Sequence, residues 1–287
     1  MESRPVLRWD PLLGGKSKMQ LHQLKKLAAA LTANVRSQQR LEKAISKAQL
    51  LLGIGAGGVV GTSGEAALFR QLKREESNEK ELCLFDVGAN RGQFLDVALA
   101  ELDSIAFKIH CFEPSAATFK MLIAGRPANS KVILNPCGLG NARGEATLYY
   151  DQQGSGLASL TRRRLEHFEI DQSLSERVTL ETLDRYCEDR GIENIDLLKI
   201  DVEGHEMDVL LGAERMLAQS VGMVTFEFGG CNIDTRTYFQ DFFYFFKTHD
   251  MSLYRITPSG FFYPIPRYQE ELEQFRTTNF VATRRRV

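Results

Sequence analysis

From Leu82 onward, short apolar runs alternate with stretches of helical character, and this alternation restricts the chain more than any other feature. A strand whose two sheet faces are both covered by helices reads as a near-continuous apolar segment, so the pattern predicts a doubly wound, mostly parallel, seven-stranded α/β sheet. Strands are expected at about 82–87, 106–113, 131–135, 195–200, 222–228, 252–256 and 279–283, with helices between most of them. Residues 144–150 read as an extra extended piece and 151–177 as a polar insertion. In FQDFFYFFK, Phe239, Phe242, Phe243, Phe245 and Phe246 recur at largely helical spacing, which predicts a helix packed on the sheet rather than an aromatic substrate platform.

The segment before the sheet has a different character. Over residues 16–52, Leu21, Leu24, Leu27, Leu31 and Val35, then Leu41, Ile45 and Ala48, recur at helical spacing and predict one or two amphipathic helices. Their apolar face can dock on the main domain or pair subunits into a homo-oligomer. Gly53, Gly55 and Gly58 satisfy G-x-G-x-x-G, but a dinucleotide loop needs a strand before it, and SKAQLLL reads as the end of a helix. The glycines are therefore expected to form a flexible connector, running through Ser63 and Glu65 into a short helix near 66–73 and the charged linker REESNEKE. The division predicted is 1–79 for helical extension plus connector, and 80–287 for the α/β domain.

At 287 residues the chain can bury a large core, and 43% hydrophobic with 25% charged residues fits a globular protein. A formal net charge of -1 argues against a nucleic-acid partner, which would need an excess of Lys and Arg on one face. The triplets Arg162 to Arg164 and Arg284 to Arg286 read as solvated surface or tail. Five cysteines without C-x-x-C spacing favour a reducing compartment. No apolar run is long enough to span a bilayer and MESRPVLRWDPLLGG lacks a signal pattern, so a cytoplasmic location is expected.

Two motifs point to an adenosine ligand. In LFDVGANRGQF, a buried strand ends at Val87, and Gly88, Asn90 and Gly92 make a tight turn into a helix, where a backbone without side chains can approach a ligand. Asp86, near the end of that strand, could accept a hydrogen bond from a ligand ammonium or from a loop amide. In CFEP, Glu113 ends the next strand about twenty residues beyond the turn, where a carboxylate can accept from both ribose hydroxyls. Pro114 stops the strand, and Ser115 is placed to cap the following helix. Asn135, after the third strand, stands where an adenine edge could be read.

FDVGANRGQF, CFEP, NPCGLGNARGEATLYY, TLDRYCEDRGIENIDLLKIDVEGHEMDVLLGAERML and TFEF, in this order over about residues 82–283, resemble the FkbM family of methyltransferases. The resemblance implies a class I, Rossmann-like methyltransferase fold, S-adenosylmethionine as donor and a hydroxyl as acceptor, on carbohydrates, polyketides and related products. Physical chemistry favours the same donor. Asp86, Glu113 and Asp201 all fall at strand ends, and three carboxylates around one pocket repel a phosphate-rich dinucleotide but suit an ammonium and a sulfonium.

KIDVEGHE supplies groups for chemistry. Methyl transfer is an in-line displacement, so the protein must align an acceptor oxygen and remove its proton. Asp201, Glu203 and His205 emerge together past a strand; His205 is the candidate base, with Glu203 orienting it or binding the acceptor, and Glu206 a helix-start carboxylate. Glu227 in TFEF ends the fifth strand and could hold a sugar hydroxyl or, with Asp201, a divalent metal; the metal is disfavoured because no dedicated ligand spacing exists. In GSGLASLTRRR the small residues suit either a lid over the pocket or an exposed loop. The rivals are an NAD-dependent enzyme on a nucleotide-linked sugar, using GIGAGG, and a non-catalytic donor-binding scaffold.

Overall fold

The computed structural model of the chain describes residues 15–58, 61–75, 81–124, 126 and 129–284. The N-terminal stretch to residue 14, most of the charged linker (76–80), and Arg285 and Arg286 of the C-terminal triplet lie outside the described residues. The chain forms two compact units, residues 1–49 and 50–287.

The first unit carries α1 (Gly15–Thr32) and α2 (Val35–Leu51). Asn34 separates them and caps the second, its side-chain oxygen accepting from the Ser37 amide at 2.9 Å. Leu31, Val35, Leu41 and Ile45 are exposed.

The second unit runs α3 (Ala66–Glu75), β1 (Leu82–Val87), α4 (Gln93–Glu101), β2 (Phe107–Phe112), α5 (Ala116–Ala124), β3 (Val132–Asn135), β4 (Gly138–Leu139), β5 (Gly144–Tyr150) and β6 (Leu174–Glu181). It continues through α6 (Leu183–Arg190), β7 (Ile195–Ile200), α7 (Glu206–Leu211), α8 (Glu214–Gln219), β8 (Val221–Phe228) and α9 (Cys231–Thr235), then α10 (Phe239–Thr248), β9 (Ser252–Ile256), β10 (Phe262–Ile265) and β11 (Thr278–Thr283). The main sheet has the order β10-β9-β11-β8-β7-β1-β2-β3. The pairs from β3 through β8 are parallel, while β11 runs antiparallel to both of its neighbours. The seven predicted strands are all present, and order reverses beside β1, the crevice where open α/β sheets bind ligands.

The eighth strand, β10, was not predicted. It forms a hairpin on β9 at the sheet edge, where Pro264 is tolerated because its missing N–H costs no ladder bond; a proline in a short run otherwise argues against a strand. The extended piece at 144–150 is β5, and it pairs with β6 from the polar insertion and β4 in a separate three-stranded sheet.

Helices bury apolar stripes on both sheet faces. On one face Phe85, Val87, Ile200 and Phe226 meet α6 and α10; Phe226 stacks on Phe242 at 4.8 Å, and Phe239, Phe242, Phe243 and Phe246 are buried, as helix-to-sheet packing requires. On the other, Leu84, Leu197 and Met223 meet α3 and α4, with Phe69 and Phe94 5.1 Å apart.

The glycine-rich segment is not a free connector. A Cβ on Gly53 or Gly64 would run into the backbone carbonyls of Ile256 and Thr257, and Gly57 N–H donates to Thr277 O at 3.0 Å. Its glycines serve close backbone approach, which composition alone does not distinguish from flexibility.

Candidate functional site

A cavity of about 1040 Å³ opens at the carboxyl ends of β1, β2, β7 and β8. The sheet register builds its floor. Asp86 pairs with Lys199, Lys199 with Thr225 and Thr225 with Val281, so these side chains share one face. Two residues further along, the same face presents Gly88, Asp201, Glu227 and Asn279 toward the opening. Lys199 Nζ lies 3.1 Å from Asp86 Oδ1 and 3.5 Å from Asp201 Oδ2, above the Phe94 ring. Burial opposes the Lys199 charge, but Asp86, Asp201 and Glu65 outweigh it and raise its pKa. Asp86 is 0% exposed and lies beneath the cavity lining, not in it; its Oδ2 has no partner among the described residues. The sequence reading that offered it to a ligand or a loop amide is corrected: its observed partner is Lys199.

At the β1–β2 side, Gly88, Asn90 and Glu113 line the cavity. Gly88 has φ +82 and no room for a Cβ, which would enter the Asp201 carbonyl. Glu113 Oε2 accepts from the Asn90 amide at 3.0 Å and Oε1 from the Ser115 amide at 2.9 Å. Burial pushes the Glu113 carboxyl up to about 7, against the pull of those amides. Asn90 Oδ1 is buried without a partner among the described residues. Gly92 and Asn135 do not line the cavity. Gly92 instead faces Arg126, whose Nη2 donates to the Gly92 carbonyl at 2.9 Å. Asn135 donates to Cys111 O at 3.1 Å and accepts from the Tyr186 hydroxyl at 3.0 Å, so its amide ties β3 to β2 and α6 and is withdrawn as an adenine reader. Pro114, Gly138 and Leu139 form the wall on that side.

At the β7–β8 side the structure brings Asp201, Glu203, His205 and Glu227 together in the lining. Glu203 has φ 54 and Gly204 φ 104, and this strained turn is held by Glu206, whose buried Oε1 accepts from the Val202 and Gly204 amides at 3.2 and 3.0 Å. Glu203 does not orient His205. Its Oε2 lies 2.5 Å from Arg163 Nη1, while His205 Nδ1 donates to Asp208 Oδ2 at 2.7 Å and Nε2 lies 3.0 Å from Thr161 Oγ1. Asp208, one turn further along the helix, is thus the orienting carboxylate. Burial and the repulsion of Asp201 push Glu203 up to about 8 despite Arg163. Burial, followed by Asp201, Glu203 and Glu206, raises Glu227 well above the usual carboxylate range.

Three contributors escaped the sequence reading. Lys199 was legible in principle, since a lysine inside the apolar run LLKI is anomalous and demands a buried partner. Arg163 was read as solvated, yet its side chain is 8% exposed where Arg162 is 60% exposed; it spans Glu203 and Asp234. The segment carrying it covers the cavity through Ser155, Gly156, Leu157, Ala158 and Leu160, and Ser159 Oγ donates to the Glu203 carbonyl at 2.7 Å. The third is the glycine-rich segment, which lines the cavity with Gly55, Gly57, Gly58, Gly61 and Glu65.

Among the described lining residues, six carboxyl groups (Glu65, Asp96, Glu113, Asp201, Glu203, Glu227) outnumber three cations (Arg163, Lys199, Arg276). Burial raises Glu65, Glu113, Glu203 and Glu227, so a positively charged ligand would favour their ionised forms and be favoured by them. Among the described residues no group of three or more His, Cys, Asp or Glu side chains is arranged to hold a metal ion.

Residues 86–253 match the family model described as the methyltransferase FkbM domain. Among curated proteins, the AMB antimetabolite synthetase AmbE of Pseudomonas aeruginosa is 31% identical in an alignment 176 residues long that covers 50% of this chain and 8% of that protein. Among solved structures, a methyltransferase FkbM from Methylobacillus flagellatus KT matches with a TM-score of 0.44 and 14% identity, over 75% of this chain and 47% of that one. The plantazolicin methyltransferase BpumL in complex with SAH matches with a TM-score of 0.41 and 10% identity, over 94% and 99% of the two chains.

Proposed function

Because the chain belongs to the FkbM family of methyltransferases, we propose that it transfers a methyl group from S-adenosylmethionine to a hydroxyl oxygen of a sugar, glycan or related natural product. The observation that carries this reading is the excess of carboxylates in one cavity at the strand-order reversal. When bound, S-adenosylmethionine supplies an electrophilic methyl group on a cationic sulfur. Glu113 accepts from the ribose hydroxyls with the lone pairs its two amide bonds leave over, and Gly88 lets the backbone approach. The partnerless Asn90 Oδ1 fits a polar group of the same ligand.

On the acceptor side, Asp201 and Glu227 orient the hydroxyl, and His205 takes its proton. Asp208 fixes Nδ1, so Nε2 is the receiving nitrogen once the acceptor hydroxyl displaces the Thr161 hydroxyl that lies 3.0 Å from it. Asp208 then stabilises the imidazolium, and Arg163 holds the Glu203 side chain in place on the turn that precedes it. Loss of the acceptor proton raises the nucleophilicity of its oxygen, so alignment and deprotonation are the chain's two contributions.

The dinucleotide alternative loses its main support, because helix α2 and not a strand precedes Gly53. Lys199 and Arg163 are each already spent on two carboxylates, which leaves neither for a pyrophosphate. No described helix is long and apolar enough to cross a membrane, and no disulfide joins the five cysteines, which favours a reducing, cytoplasmic setting. The exposed Leu31, Val35, Leu41 and Ile45 favour pairing of subunits through the N-terminal helices.

The test is calorimetric titration with S-adenosylmethionine, followed by mass spectrometry of hydroxylated acceptors for a methyl increment. Wild-type protein should bind the donor, and Glu113→Ala should weaken it about tenfold or more without unfolding the chain. Folded protein that binds no donor would end the proposal; donor binding without transfer to any hydroxyl would favour the scaffold reading.

A further inference from the structure

The glycine-rich segment spends its backbone on anchorage and delivers one side chain into the cavity. Gly57 is bonded from both directions, its N–H to Thr277 O at 3.0 Å and its carbonyl from Asn279 Nδ2 at 3.4 Å. Downstream, α3 fixes the other end by burying Leu68 and Phe69 against α4. Between these anchors Glu65 lines the cavity and is 5% exposed. Ser63 Oγ donates to its Oε2 at 2.6 Å, and Oε1 takes no hydrogen bond from any described residue.

The free protein rewards a charge at this position too little to offset its burial. Lys199 attracts Glu65, but Asp86 and Asp201 already pair with that cation, and both repel a third carboxylate. Burial, against the Ser63 bond, pushes the Glu65 carboxyl up to about 7. A glutamine would keep the Ser63 contact without that electrostatic cost. A buried acid with one unused oxygen, aimed into a ligand cavity, is therefore accounted for by a cation that the free protein lacks.

Position says which cation. Glu113 stands at the end of β2 and Lys199 with Asp201 at the end of β7, on opposite sides of β1. A donor whose ribose is held at β2 and which crosses the Gly88 turn brings its amino-acid end to β7, beneath Glu65. We propose, resting on the donor assigned above, that Glu65 binds the α-ammonium of the donor's amino-acid moiety.

The test compares two ligands on wild-type protein and Glu65→Gln by calorimetric titration. S-adenosylhomocysteine carries the ammonium; 5′-methylthioadenosine shares the thioadenosine and lacks the amino acid. The substitution should weaken S-adenosylhomocysteine about tenfold or more, the effect of one charge-assisted hydrogen bond, and leave 5′-methylthioadenosine unchanged. The S-adenosylhomocysteine analogue with hydrogen in place of the amino group should bind both proteins alike. Thermal unfolding of the free variant should show a midpoint equal to or above wild type, because a buried charge has been removed. Equal effects on both ligands, or none on either, would overturn the role of Glu65. Failure of wild-type protein to bind either ligand would instead strike the donor assignment itself.

Discussion

Replacing Lys199 with Met puts the buried charge network to a quantitative test. Asp86 is 0% exposed, and Lys199 Nζ at 3.1 Å is the cation that bonds it. Without it, the carboxylate relieves its isolation by taking up a proton. Neutralising an aspartate at pH 7 costs about 1.4 kcal/mol for each of the roughly three pH units above its usual pKa, and because burial already raises the Asp86 carboxyl against the pull of Lys199, the resulting total of roughly 4 kcal/mol is an upper bound on the penalty. That agrees with the roughly 3–5 kcal/mol lost when one member of a buried ion pair is removed. In a unit of this size the midpoint should fall by roughly 8–16 °C. The sign with pH follows from the same argument. The variant's Asp86 has a raised pKa, so its contribution is intact in acid and lost as pH rises; the penalty should shrink to roughly 1.5 kcal/mol at about pH 5. Urea unfolding followed by circular dichroism suits the measurement, since the single tryptophan, Trp9, precedes the sheet-bearing unit in sequence. The double variant Asp86→Asn with Lys199→Met should recover most of the loss, because an amide needs no counter-charge. A penalty equal at both pH values, or a double variant no better than the single one, would refute the reasoning.

Two further outcomes follow from the same cavity. Glu65 and Glu113 are pushed up to about 7 and Glu203 to about 8, all above the ordinary carboxylate value, so the stability they contribute is complete in acid and is lost as pH rises through 7 to 8. Calorimetric midpoints of the free protein should therefore fall from about pH 4.5, the ordinary carboxylate value, up to about pH 8, with roughly 3 kcal/mol lost for Glu65 alone between about pH 4.5 and 7; a rise over that window would contradict the assignment. Gly88→Ala forces a side chain at φ +82 into the Asp201 carbonyl and should destabilise by about 2 kcal/mol or more while lowering donor affinity, so a variant of wild-type stability and affinity would show that the turn has slack.

The sheet was legible because a parallel strand covered on both faces has no alternative but an apolar run, and the turn after β1 announced itself by glycines with positive φ. The insertion was not legible for the converse reason. In β6 only Val178 is buried, so the strand lacks the alternation that would reveal it, and β5 and β4 supply its stability through backbone pairing. The GSGLASLTRRR segment was legible as either a lid or an exposed loop, but the role of Arg163 was hidden, because Arg163 and Arg162 are chemically identical in the sequence and differ only in which of them meets Glu203.

Asn135 shows why the site was harder to read than the sheet. It pairs with Phe112, Phe112 with Val87, Val87 with Ile200 and Ile200 with Phe226, and that row faces the α6 and α10 side. Glu113 is one residue beyond Phe112 and therefore points to the other face, with Asp86 and Lys199. Both Asn135 and Glu113 stand at strand ends, so proximity to a carboxyl terminus made them look equivalent. A single residue of parity separates them, and parity across strands is a property of register, which packing sets and a list of motifs does not contain. The same parity puts Asp201 and Glu227 on one face: each stands two residues beyond a register-paired position, Lys199 and Thr225, so counting along their own strands reaches the common face. Glu65 is outside any such count, because it arrives from a segment that joins the site through Thr277 and Asn279 and not through the sheet's hydrogen bonds.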